Sequence, residues 1–322
     1  MNVMKMKNII IGCAYGMLLS LFGCFHEAEL SESKQDRDWY ILEDSDDKLD
    51  HLRYLVFEQY GVPIFYNDTI GSRTDGTDVY GNPVIYYEIL DPSYDLVSVN
   101  DEIEIKLATN REQIMAAVCF MRDEVLPMLN STGLLPRCFL LVDSVHAACF
   151  SSSGAYRHEV NVCRSLMASL VGRVDRLEEM SDEAKKRFAV EIAAEEWASY
   201  LTQFKKEELS PFYSISETEV YSKSTTYSKY SSNTGPATLS VPYKDYREYG
   251  FLDYSHWEAY QEGSSYKTVN KQYDVADYVA EVLLDDDEAF EEKYKNYKWV
   301  LQKYELMKGI VKTVKAELKV NN

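Results

Sequence analysis

The spacing of apolar residues changes several times along the chain, and each change marks an element. Ile9 to Phe22 is almost unbroken apolar sequence, too short to span a bilayer as a helix. Between Asp46 and Tyr60, Leu49, Leu52 and Val56 recur at helical spacing, and Gly61 stops the run. Val62 to Tyr66 reads as a strand. Asn67 to Asn82, rich in Asp, Gly and Thr, reads as a loop, and Val84 to Ile89 as another strand. Asn110 is placed to cap a helix running to about Leu129, with Ile114, Val118, Met121 and Val125 inward. Phe139 to Val142 reads as a buried strand, and Arg157 to Leu166 as a paired strand or a turn into helix. Ser181 caps a long helix from Asp182 to about Lys206, whose first turn is acidic as the helix dipole favours. Ser214 to Pro242 is a Ser/Thr/Tyr-rich stretch, long for a loop. Two helices follow, Val275 to Leu284 and Glu288 to about Leu318. Strands early and helices late predict an α+β domain.

The first apolar run belongs to a leader. Lys5 and Lys7 precede it, and it ends in Leu21-Phe22-Gly23-Cys24, which resembles a bacterial lipobox. There the cysteine is acylated and becomes the new N-terminus. An ordinary secretory signal cut near Gly23 is the competing reading. The polar run Ser31 to Asp38 reads as a tether. Acidic residues just behind Cys24 resemble the surface-export signals of Bacteroidota lipoproteins. The expected organisation is therefore a signal peptide over 1–23, lipidated Cys24 and tether over 24–44, and one domain over 45–322. Localisation follows as the cell envelope, lipid-anchored at the outer membrane or the cell surface. No later segment reaches membrane-spanning length, so the rest is expected to be soluble.

Composition narrows the partners. An apolar fraction of 46% supports a real core. The net charge of −19 repels nucleic acid and anionic lipid headgroups. The exported location permits disulfides, but no Cys-x-x-Cys occurs. Cys119, Cys138, Cys149 and Cys163 read as buried thiols, with a Cys138–Cys149 bridge open if their strands are neighbours. The chain has 26 tyrosines, many in its second half among Ser, Lys and Glu. Such a face suits glycans as well as ordinary amphipathic packing.

The Asp182 helix contains Ala194-Glu195-Glu196-Trp197-Ala198-Ser199-Tyr200-Leu201-Thr202-Gln203. Here the chain resembles a family of zinc-binding metallopeptidase lipoproteins from Bacteroidota, whose helix reads roughly His-Glu-Phe-Ala-His-Ile-Leu-His-Gln. The family's Glu falls on Glu196, its aromatic on Trp197, and its Ala, Leu and Gln on Ala198, Leu201 and Gln203. Its two histidines fall on Glu195 and Ser199. Further likenesses run in order along Leu49–Phe65, Phe139–Ser144, Pro211–Ser216, Gly250–Ser255, Asp277–Leu283 and Lys293–Leu318. The resemblance implies a zincin-like fold with a small N-terminal sheet, an active-site-type helix and a helical C-terminal part. It also implies a third ligand position at Asp277 or, one register away, Glu281.

The departures matter chemically. Two histidines four residues apart share a helix face and reach one Zn²⁺, while the intervening Glu takes the proton of the metal-bound water. Zinc tolerates one carboxylate among nitrogen or thiolate ligands, and a serine is a poor ligand. With Glu195 and Ser199 in place of histidine, Glu196 keeps only a vestigial base position. Glu195, Ser199 and Asp277 are vestigial ligand positions, and zinc or any other cofactor is not expected. His158-Glu159 begins like a zinc motif, but position 162 is Val. Clustered carboxylates at Glu195, Glu196, Asp277 and Glu281 would suit Ca²⁺, although an empty or water-filled cleft is the preferred expectation. The resemblance thus implies a non-catalytic envelope protein acting in binding or assembly. Alternatives are a hydrolase with a non-standard carboxylate site and a glycan- or peptide-binding lipoprotein beside a nutrient-uptake importer.

Overall fold

A computed structural model describes residues 37–94, 103–148, 157–216, 241–242, 245–252, 261–262, 265–266 and 271–321. The leader, Cys24, Cys149, His256 and most of the Ser214–Pro242 stretch lie outside the described residues. The main folded unit begins at Trp39, ahead of the expected end of the tether at residue 44. The Trp39 indole lies against Gly71, where any Cβ would collide with it. Tyr40 meets the edge of Phe65, with Arg137 over its face at 3.8 Å.

The architecture mixes α and β. Helix α1 (Lys48–Tyr60) starts where the Asp47 carboxylate accepts the Leu49 and Asp50 N–H groups, and it ends at left-handed Gly61. A long strand, β5 (Phe139–Ala148), organises the centre. Parallel to its first half lie β1 (Ile64–Phe65) and β8 (Ser169–Val171), while β4 (Glu104–Leu107) and β6 (Arg157–Val160) run antiparallel to its second half. Strand β7 (Val162–Arg164) extends the sheet beside β8. These six strands form a larger sheet than the small one expected, because β5 continues well past Val142.

Alternation along β5 explains the layering. Phe139 and Leu141 enter one apolar cluster with Leu49, Val56 and Ile114, while Leu140 and Val142 enter another with Trp197, Phe212 and Tyr278. A strand buried on both faces reads as a continuous apolar run, as Phe139–Val142 does. Helix α2 (Arg111–Phe120) is capped by Asn110 as its sequence predicts. It passes through a π-helical turn, Met121–Val125, into α3 (Leu126–Asn130) with Pro127 in its first turn.

Two readings need correction. Asn67–Asn82 is not a loop: β2 (Thr69–Thr77) pairs with β3 (Pro83–Ile89) in a hairpin. Both faces of its outer half meet solvent, so no alternation betrays it. The expected single helix Glu288–Leu318 is two, α7 (Asp287–Tyr294) and α8 (Lys298–Asn321). The chain folds back between them, so that Phe290 stacks on Tyr304 at 3.8 Å. Helices α4 (Asp182–Phe204), α5 (Lys206–Ser214) and α6 (Lys271–Leu284) complete the second layer. No helix among the described residues is long and apolar enough to cross a membrane.

Candidate functional site

Helix α4 begins at Ser181, whose Oγ accepts the Ala184 N–H at 3.2 Å. It lies along α6, and Ala194, Ala276 and Ala280 leave a cleft of about 50 Å³ between the helices and β7. Glu191, Glu195, Tyr273, Asp277 and Asn161 supply its polar lining. A cleft of this size holds a few waters, far less than the roughly 300–1,000 Å³ typical of ligand pockets.

Glu195 and Asp277 therefore line the same cleft. Each is only 5% exposed. Glu195 accepts a bond from Gln272 Nε2 at 3.1 Å. Burial pushes its carboxyl up to about 8, and the charges of Asp277 and Glu196 push the same way against Gln272 and Arg164. Cys163 on β7 is likewise pushed up to about 12, first by burial and then by Glu195. Such a thiol stays protonated and unreactive at neutral pH.

Glu196 points elsewhere. Its carboxylate accepts bonds from Arg164 at the end of β7 and from the Ser169 hydroxyl on β8. It is 2% exposed, and burial raises its pKa while Arg164 and Ser169 oppose the rise. Both of its oxygens are thus engaged in holding α4 to the sheet. Ser199 is half-buried and does not line the cleft. Glu281 accepts a bond from Arg187 at 2.7 Å, and Glu191 accepts one from Asn161 at 2.6 Å. Compared with family models, curated proteins and solved structures, the chain matches none.

The four carboxylates weighed as a cluster are split: Glu195 and Asp277 line the cleft, Glu196 is held by Arg164 and Ser169, and Glu281 by Arg187. Among the described residues, no three His, Cys, Asp or Glu side chains stand together as a metal set. His51 pairs with Asp44, and no described histidine lines the cleft. The His158-Glu159 pair sits on β6, where Glu159 bonds Arg176. Cys119, Cys138 and Cys163 are free thiols, so Cys138 makes no bridge; its thiol instead donates to the Met167 carbonyl at 3.3 Å.

Sequence reasoning missed a second buried charge site. Lys303 on α8 is 0% exposed, and its Nζ reaches both carboxylate oxygens of Asp274 at 2.7 Å. Phe212, Phe251 and Tyr278 present their faces to it at 4.2, 4.9 and 4.8 Å, and the Tyr278 hydroxyl donates to the Gly250 carbonyl. Burial lowers the Lys303 pKa, and Asp274 opposes that fall. A signal was present: Lys303 interrupts the inward series Val300, Tyr304, Met307, Val311 where an apolar residue would be expected.

Proposed function

We propose that this chain is an envelope lipoprotein, anchored to the outer membrane through Cys24, whose zincin-like domain serves binding or assembly rather than hydrolysis. One observation carries the reading: the carboxylate in the vestigial base position, Glu196, is occupied on both oxygens by Arg164 and Ser169. A general base must reach the water it deprotonates, and Glu196, 2% exposed, is turned from the cleft onto Arg164 and Ser169. Glu196 instead fastens α4 to β7 and β8, a structural use for a position that a zinc peptidase reserves for chemistry. The small size of the cleft beside Glu195 supports the same reading. By resemblance, the partners are an outer-membrane nutrient importer and the peptides or glycans it handles.

A second reading has one observation in its favour. Glu195 keeps its proton up to about pH 8 beside Asp277, and carboxyls with separated pKa values can act as acid and base. Metal analysis together with peptide hydrolysis by the purified full chain tests both. The proposal expects neither zinc nor cleavage. Stoichiometric zinc with cleavage would sink it, and zinc-free hydrolysis abolished by Glu195→Gln would establish the second reading.

A further inference from the structure

The β2–β3 hairpin concentrates exposed apolar side chains in one element of the described fold. Val79 and Tyr80 at its tip are 93% and 87% exposed. Along β3, Val84, Ile85, Tyr86, Tyr87 and Ile89 are all between 41% and 53% exposed. The turn is well made: the Asp78 carboxylate accepts from the backbone N–H groups of Tyr80 and Asn82, both at 2.8 Å, and from Asn82 Nδ2. The acid is thereby turned back on the turn while Val79 and Tyr80 stand outward. An exposed apolar edge of this kind invites a partner.

We propose that the hairpin is a membrane-contact element whose tip seats in the interfacial zone of the bilayer that holds the lipid on Cys24. This rests on the lipid anchor of the proposed function. The argument is where the tether enters the fold. Trp39, the first residue of the folded unit, packs on Gly71 within the hairpin's own first strand. At about 3.3 Å per strand residue, the tip lies roughly 25 Å beyond that point. The fifteen residues from Cys24 to Asp38 can reach at most about 50 Å. A tip resting on the bilayer therefore leaves Trp39 at a height the tether readily spans. Tyrosine belongs at this depth, with its ring among the acyl boundary and its hydroxyl wet. Among the described residues the outer edge of β3 has no partner strand, which keeps the contact shallow, because unpaired N–H and C=O groups are excluded from the hydrocarbon core. The acidic chain favours zwitterionic headgroups.

The test uses the full lipidated chain in phosphatidylcholine vesicles, with Tyr80→Trp read against the parent chain. Acylation of Cys24 is scored separately by palmitate labelling and intact mass. The expected result is acylated protein whose added tryptophan emission shifts to the blue and is lost with lipids brominated near the headgroup, with Val79→Asp weakening that loss. Acylated protein whose added tryptophan emits as in water, unquenched by those lipids, overturns the membrane contact and leaves the anchor standing. That outcome would fit a protein partner covering β3. An unacylated Cys24 overturns the anchor, and the hairpin proposal with it.

Discussion

Asp274 and Asp277 lie one helical turn apart on α6, both buried, yet they face different groups. Asp274 meets the Lys303 ammonium in a box of aromatic faces that also holds the Ser216 hydroxyl. Asp277 meets Glu195, another acid, across a cleft large enough for a few waters. The first region sets a buried charge against its opposite, and the second brings two acids together. Burial alone does not separate scaffold from site. The facing group does: a lysine against an aspartate locks α8 to α6, while Glu195, buried beside Asp277, keeps a proton whose release depends on pH.

The largest expected effect breaks the lysine–aspartate side. Lys303→Met should destabilise the fold by about 3–5 kcal/mol, because it leaves Asp274 buried without the lysine's charge. Adding Asp274→Leu should restore most of the loss, since apolar pairs of similar volume often replace buried ion pairs at little cost. Urea denaturation of both variants measures this. If the double variant were as unstable as the single one, the lysine would matter for packing beneath the aromatic rings rather than for charge.

The next effect sharpens the acid-on-acid side. In the unfolded chain Glu195 ionises near 4.5, whereas in the fold it holds its proton to about 8. Between those values the native state binds the extra proton. The stability tied to this group is fully present below about pH 4.5 and is lost as pH rises through 8. Glu195→Gln keeps the shape and removes the titration. The variant should gain on the parent by on the order of a few kcal/mol between pH 5 and pH 8, since each tenfold difference in proton affinity between folded and unfolded chain is worth about 1.36 kcal/mol. Parallel stability profiles for the two proteins would show that Glu195 is ionised in the fold.

How much of this was legible in the sequence depended on whether local pattern and tertiary environment agreed. Asn110 and Ser181 announce their helices because a cap is a local hydrogen bond between neighbours. The Phe139–Val142 run announces a strand because burial on both faces leaves an uninterrupted apolar word. Strand β3 was legible as Val84–Ile89, but its partner β2 was hidden for the converse reason, since exposure on both faces of its outer half erases alternation. At the site, Glu195 and Asp277, both singled out in the sequence, line one cleft. The role of Glu196 was not legible, because Arg164 and Ser169 come from strands some 30 positions away and their pairing depends on the β7–β8 register. Lys303 was foreseeable as an oddity in an apolar series, but Asp274 and the aromatic box come from elsewhere in the chain.

The smallest effect tests whether Glu196 fastens the helix. Ser169 is buried and donates to Glu196, so Ser169→Ala should cost about 1–3 kcal/mol, the usual penalty for stranding one bond of a buried polar group. Ser199 is half-buried, outside the cleft and one turn along the same helix. Ser199→Ala should fall within about 0.5 kcal/mol of the parent. The comparison turns on which serine matters, because the vestigial-ligand view gives weight to Ser199 and the fastening view gives it to Ser169. Thermal unfolding of the two alanine variants decides between them. A larger loss at Ser199 than at Ser169 would return the helix face bearing Glu195 and Ser199 to the centre of the argument and make the Arg164–Glu196–Ser169 contact incidental.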